Sequence, residues 1–333
     1  MKRTTSQTKL AAGIASFALL IAQTSLAQSS LAQSSLAQTS KEECSLAVVS
    51  RLVGGAQHVC DGKVVQEMAR RGHVFQQNQQ GMASILAIGP DYNETEALKW
   101  FEQAAQRGYA PAQVNLAVMY ANGWGTPANY GAALRWLRAA ADQGFARAYY
   151  NLGILYLYGK GVQQDYAEAF RWFQKGAQGN DTDAQVNLGY MYDQGLGCPR
   201  SASTAASWYR KTAEAGNPLG ENNLADLYLR GIGVAQDSAE AFRLFQKAAA
   251  GGSTGARIKL GYMYAEGLGT PKDPMAAYMW VTAASLGGDS RGQYLLPSIE
   301  SFLTPAQISA AQERAHRLRL ESGHQLSAKA LVQ

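Results

Sequence analysis

The chain has 333 residues, of which 47% are hydrophobic and 17% charged, and its formal net charge at neutral pH is +5. Lys2, Arg3 and Lys9 supply three of these positive charges in a leader without acids, so the rest of the chain carries +2. This near-neutral body gives no general argument for nucleic-acid binding. The three cysteines have a spacing that matches no metal site.

Residues 1–27 have the features of a secretory signal peptide. The basic residues precede an apolar run over 10–22, and Ser25-Leu26-Ala27 is a small-residue cleavage pattern. The run is too short to span a bilayer, which needs about 20 apolar residues. We therefore predict cleavage after Ala27, a periplasmic or secreted location, and no stable membrane span in the mature chain. An uncleaved anchor is the alternative.

Two regions precede the main body of the chain. Residues 28–43 contain Ser-Leu-Ala-Gln repeats, a low-complexity composition that predicts disorder. Residues 44–92 are predicted to form a helical cap, because Met68–Gly72 is a degenerate copy of the repeat that follows. Cys44 and Cys60 predict a disulfide in an oxidising compartment, which would stabilise a region with little core.

A spacing of 36 residues organises the segment 93–296. It separates successive tryptophans, with Leu244 in the fifth place. The tryptophans are Trp100, Trp136, Trp172, Trp208 and Trp280. A fixed period of this length predicts a solenoid, in which about six copies of one unit stack on one another. Such a chain builds a long surface rather than a closed pocket.

Each copy is predicted to contain two helices, so the fold class is an all-α, α/α solenoid. In the first copy, Ala97, Trp100, Phe101 and Ala104 form one apolar stripe with helical spacing, and a second stripe begins at Ala112. A residue of the N-cap type precedes each first helix, and its side-chain oxygen accepts from free backbone N–H groups. These residues are Asn93, Asn129, Asp165, Ser201, Asp237 and Asp273.

The ends of the helices are also marked in the sequence. Asn93, Asp165 and Asp237 are each followed three residues later by a glutamate, and this spacing predicts reciprocal capping boxes. The glutamates are Glu96, Glu168 and Glu240. Glycine pairs recur where each second helix should stop, because glycine accepts the left-handed conformation of a helix C-terminus. Their recurrence at a helix end, with no strand before them, argues against phosphate-binding loops.

The pieces A-x-x-W-F-x-x-A-A-x-x-G and A-x-x-N-L-G-x-M-Y-x-x-G-x-G resemble the Sel1-like repeat family, a relative of the tetratricopeptide repeats. The second piece is present from Ala184 to Gly197. The resemblance implies a right-handed superhelix of antiparallel helix pairs that serves as a scaffold for protein–protein contacts, with its concave surface along the first helices. Three residues depart from the pattern: Asn180 replaces a glycine, Leu244 a tryptophan and Lys259 an asparagine.

Residues 297–333 are predicted to form a C-terminal capping helix and tail. Thr304 is the expected N-cap and Pro305 the first helical residue. The apolar side chains of this helix are expected to close the open end of the core. They are Ile308, Ala311, Ala315 and Leu318.

The sequence contains no recognisable catalytic constellation. Its four histidines all lie outside 93–296, and neither H-E-x-x-H nor G-x-S-x-G occurs. Cys198 is the one cysteine of the repeats and is interpreted as a small apolar residue of a loop. We therefore expect no enzymatic activity, no cofactor and no metal.

A line of basic side chains on the first helices is the candidate partner-binding feature, and we call it the basic ladder. Its members are Lys99, Arg135, Arg138, Arg171, Arg210 and Arg243. Lys175, Lys211 and Lys247 run beside it. The ladder could bind an acidic protein, whereas the alternative is an ordinary solvated helix face. Trp124, on a loop, could anchor an interface or cover the ridge between copies.

These features favour a secreted or periplasmic scaffold that binds a protein partner through its concave helical surface. The alternative is a cell-envelope enzyme, or a repeat protein that binds β-lactams or peptidoglycan. Relatives credited with β-lactam binding carry a cysteine pair in every copy, and this chain does not. In a peptidoglycan binder, exposed tryptophans rather than arginines would matter.

Overall fold

The computed structural model describes residues 69–70, 72–86 and 92–332, with side chains described as far as 318. This part of the chain contains fourteen helices of stated bounds and no strand. The all-α helical-repeat fold predicted from the sequence is therefore confirmed. The predicted signal peptide, the low-complexity segment and the proposed disulfide between Cys44 and Cys60 lie outside the described residues.

The chain divides into two compact units, residues 1–165 and 166–327, with 328–333 grouped with the first. In the first unit the helices are α1 (Val74–Leu86), α2 (Glu94–Gln106), α3 (Ala110–Asn122), α4 (Tyr130–Asp142) and α5 (Ala146–Tyr158). The second unit begins with α6 (Tyr166–Gln178), α7 (Thr182–Gln194), α8 (Ala202–Glu214), α9 (Pro218–Arg230), α10 (Ser238–Ala250) and α11 (Thr254–Glu266). The chain then continues with α12 (Pro274–Leu286), α13 (Gly292–Glu300) and α14 (Pro305–Val332).

The predicted helix starts and stops are present. Asn93 Oδ1 accepts from the backbone N–H of Glu96 at 2.9 Å, and the caps of α4, α8, α10 and α12 make the equivalent bond. The second helices of the first five copies each end at a glycine of left-handed conformation, such as Gly195 with φ 70°, whereas α13 ends at Ser301. These bonds satisfy backbone groups that a helix terminus would otherwise leave without partners.

At Asn93 and Asp237 the reciprocal half of the predicted capping box is not formed, and the expectation is wrong for these two caps. The backbone N–H of Asp237 donates to the carbonyl of Tyr228 at 3.0 Å, and the N–H of Asn93 donates to the carbonyl of Ser84 at 2.8 Å. The preceding second helix thus supplies the acceptor that a glutamate would supply in an isolated helix. The glutamates three residues after these caps are left to bind other groups.

The residue after each tryptophan of the 36-residue spacing is more deeply buried than the tryptophan itself. Phe101 in the first unit and Phe173 and Phe245 in the second are fully buried. Trp172 and Trp208, in contrast, are only half-buried. Since the alanines beside them are also buried, the helices approach closely and the indole rings lie at the edge of the core.

The C-terminal helix α14 closes the second unit as its apolar residues predicted. Ala311 and Ala315 are fully buried, and Ala311 belongs to a cluster with Val281 and Ile299. The helix begins with a reciprocal cap in which Thr304 and Gln307 each accept from the other's backbone N–H. In this case no earlier helix takes the cap N–H, so the side chain three residues later does.

Candidate protein-binding face

The basic ladder is exposed in both units. In the first unit, Lys99 on α2 and Arg135 and Arg138 on α4 all point their side chains into solvent. Arg138 Nη2 donates to the Tyr156 hydroxyl at 3.5 Å. The three side chains are therefore accessible to a partner, and one of them has a weak contact with the second helix of its copy.

In the second unit the ladder members differ in their surroundings. Arg171 pairs with Glu168, and Arg243 pairs with Glu240 through Nε–Oε2 and Nη2–Oε1 contacts of 2.7 and 2.5 Å. Glu240 is a glutamate to which the backbone N–H of its cap residue, Asp237, does not donate. Arg210 lies in the copy that has Ser207 at the position equivalent to Arg171 and Arg243. Among the hydrogen bonds described, Arg210 makes only one, to the Tyr228 hydroxyl at 3.5 Å.

A second row of cations lies on the same helices, one turn after the positions of Arg171, Ser207 and Arg243, and we call it the lysine row. It consists of Lys175, Lys211 and Lys247, all exposed. The Lys175 ammonium lies 4.7 Å from the Trp172 ring centroid, and the Lys211 ammonium lies 5.5 Å from the Trp208 centroid. Each indole thus supports a lysine stem and attracts its charge. The W-x-x-K spacing in the sequence was the available signal for these pairs.

Trp124 lies partly buried on the surface of the first unit. It is half-buried and packs against the cluster that contains Met82, Phe101 and Leu116. Its counterparts in later copies, such as Ile232, also pack on apolar clusters. The geometry therefore agrees with the second interpretation of Trp124, that it covers the ridge between copies.

A charged cluster on the second helices was not found from the sequence. Lys259 on α11 lies 2.7 Å from Asp226 on α9, whose carboxylate also accepts from Arg230 at 3.1 Å. Burial alone would raise the pKa of Asp226, but the hydrogen bonds and charges of Lys259 and Arg230 lower it below the ordinary value. Only contacts between copies could have revealed this cluster.

The described part of the chain contains one free cysteine, no metal-binding cluster and no membrane-spanning helix. Among the described residues, no three His, Cys, Asp or Glu side chains converge in a way that could hold a metal ion. Cys198 is a half-buried free thiol whose pKa is raised by burial. Within the same described part of the chain, none of the helices has the length and apolar character needed to cross a bilayer.

Comparison with known proteins identifies the family. Six stretches match the sequence model of the Sel1 repeat and together cover more than half of the chain. The matched stretches are residues 82–109, 110–145, 146–181, 182–217, 218–253 and 255–289. This chain belongs to the Sel1 repeat family. A search of curated proteins found no match.

Two solved structures of Sel1 repeat proteins are similar to this one. The protective antigen c5321 present in uropathogenic Escherichia coli strains, which displays an SLR fold, is 28% identical with a TM-score of 0.61, over 88% of this chain and 72% of that protein. A Sel1 repeat protein from Oxalobacter formigenes is 30% identical with a TM-score of 0.62, over 67% of this chain and 90% of that one. The repeat-scaffold fold expected from the motifs is thus the fold of this protein.

Proposed function

We propose that this Sel1 repeat protein is a secreted or periplasmic scaffold that binds an acidic segment of a protein partner. The observation that carries the proposal is the pair of cation rows on the first helices of the second unit, α6, α8 and α10. Each of these helices presents two exposed basic residues and contains one glutamate. A rigid face of one charge sign attracts a partner of opposite charge and fixes its orientation.

The family favours this kind of function. Repeat proteins build extended surfaces by adding copies, and each copy contacts only its neighbours, so the surface can vary while the core stays the same. The exposed arginine and lysine side chains of the first helices are groups that bind carboxylates, so binding is the chemistry they support.

Charge reversal tests the binding face. The variant Arg210→Glu with Lys211→Glu reverses two exposed charges on α8, and the control Lys160→Glu with Lys272→Glu reverses two exposed charges on loops. Each variant of the full chain is used to capture proteins from a bacterial envelope extract, followed by identification with mass spectrometry. We expect the captured partner to be lost with the α8 variant and kept with the control, with equal thermal midpoints. Equal capture by both variants would contradict the proposal that this face binds the partner.

The proposed location is tested separately. The leader pattern, with its basic residues, short apolar run and Ser25-Leu26-Ala27, supports export. Cell fractionation with N-terminal sequencing should recover a mature chain that begins at Gln28. Recovery of the full-length chain from the cytoplasm would contradict export.

A further inference from the structure

The cations on the first helices of the second unit fall into two chemical states. Arg243 on α10 makes a two-pronged ion pair with Glu240, three residues earlier on the same helix. Arg171 on α6 pairs with Glu168, also three residues earlier, through Nη1 and Oε1. Lys247 lies one turn after Arg243 on α10, is exposed, and forms no ion pair with any described residue. Arg243 and Lys247 carry the same charge on one helix, but only Arg243 already forms an ion pair with a carboxylate.

The repeat geometry creates this difference. Glu240 contributes its backbone N–H to the Asp237 cap at 2.9 Å, and the Asp237 N–H is already bound by the Tyr228 carbonyl. The Glu240 carboxylate therefore has no cap N–H to accept from, and it accepts from Arg243. The hydrogen bonds of Arg243 are the main cause that lowers the pKa of Glu240, which keeps this carboxylate ionised.

Lys211 is available for an ion pair, whereas Arg171 and Arg243 already hold a glutamate. Lys211 forms no ion pair among the described residues, and its ammonium lies over the half-buried Trp208 ring. An ammonium held over a ring loses less side-chain freedom when it binds a ligand than a free lysine does. In the copy of Lys247, the position of Trp208 is held by Leu244, which is buried and has no ring for the ammonium to lie over.

We infer that Lys211 and Lys247 bind the carboxylates of the acidic partner, whereas Arg171 and Arg243 are occupied by glutamates of their own helices and contribute little. This inference rests on the proposed function and names the residues that perform it. A partner carboxylate that approached Arg243 would have to displace Glu240, so one ion pair would replace another with little gain. The charge of Lys247 helps to lower the pKa of Glu240, but Lys247 forms no ion pair with a described residue, so a partner carboxylate would displace none there.

Three variants of the full chain on α10 separate the two cation classes. Lys247→Met removes an unpaired charge, Glu240→Gln with Arg243→Met removes a whole ion pair without changing net charge, and Glu240→Gln alone frees Arg243. Glu240→Gln keeps the helix cap, because Asp237 binds the backbone N–H of this residue. Binding of a fluorescein-labelled oligoglutamate peptide is measured by anisotropy at low and high salt.

We expect Lys247→Met to weaken peptide binding about two- to fivefold, the range of one exposed ion pair. The Glu240→Gln, Arg243→Met double variant should bind within about twofold of the wild type, and Glu240→Gln alone should bind more tightly. Lys211→Met should weaken binding at least as much as Lys247→Met. All of these differences should shrink at high salt.

The outcomes distinguish the inference from the proposed function. If the double variant binds as weakly as Lys247→Met, the arginines take part and the inference is wrong, while the acidic-partner function stands. If the wild-type chain does not bind the peptide, or binds it equally at both salt concentrations, recognition of carboxylates is refuted together with the inference. Circular dichroism confirms that each variant is folded.

Discussion

Lys259 replaces an asparagine of the repeat pattern, and its ammonium lies 2.7 Å from Asp226 in the preceding copy. The Asp226 position holds an exposed tyrosine in the copies on either side, Tyr190 and Tyr262. The departure at Lys259 therefore supplies a cation to the carboxylate that the preceding copy carries at a variable position of the pattern. A carboxylate that is half-buried between helices needs a cation, and the asparagine of the pattern could not supply one.

A double-mutant cycle with Lys259→Asn and Asp226→Asn should give a coupling energy of about 0.5–1 kcal/mol in urea unfolding at neutral pH. The folded pKa of Asp226 lies below its ordinary value of 3.8, so the stabilisation is complete above that value. It is lost as the pH falls through the lower folded pKa. A coupling energy that stayed constant down to strongly acidic pH would contradict this assignment.

Asn180 is the one non-glycine residue with positive φ, 60°, in the described part of the chain. It occupies the turn position that Gly216 holds in the next copy, with φ 74° and open space where a side chain would begin. Because the left-handed region is less costly for glycine, Asn180→Gly should stabilise the chain by less than about 1 kcal/mol in thermal unfolding. The matched change Gly216→Asn should destabilise it by a similar amount, and the same sign for both would refute the argument.

At the scale of an element, the loop after each second helix depends on the second glycine of its pair. Gly197 has φ 68°, and a Cβ there would overlap the carbonyl of Tyr166 at the start of α6. The sequence pattern explains the first glycine as a helix stop, whereas the second is required by the close approach of the loop to the first helix of its own copy.

Gly197→Ala should therefore cost about 1–3 kcal/mol more than Gly216→Ala in chemical denaturation. Both changes place alanine in the left-handed region, but only the first also creates an overlap with backbone. If the two variants were equally stable, the contact between the loop and α6 would not constrain the chain.

At the scale of the whole molecule, the stability of a repeat chain is a sum of copies and of the interfaces between neighbours. Phe173 is fully buried in α6, so Phe173→Ala should cost about 3–5 kcal/mol. Hydrogen exchange should accelerate most in α6, α7 and α8 and least in α12 and α13 of the same unit. Uniform acceleration over residues 166–327 would show that this unit opens as one cooperative block.

Trp172→Ala is the matched control for that experiment. The indole is half-buried at the edge of the core, so its removal should cost less than removal of the Phe173 ring. A larger loss from Trp172→Ala would place the main burial on the tryptophan, as the 36-residue pattern alone suggests.

The amino-acid sequence by itself determined the helices of this protein, because caps, glycine stops and apolar stripes are local signals that recur in every copy. It also placed Lys99, Arg135 and Arg243 on one class of helix, since a fixed period puts equivalent residues at equivalent positions. Only the tertiary structure decided which of these cations already form an ion pair and which can bind a partner's carboxylate. The Tyr228 carbonyl takes the Asp237 N–H and leaves Glu240 to Arg243, and this depends on how one helix lies against the next.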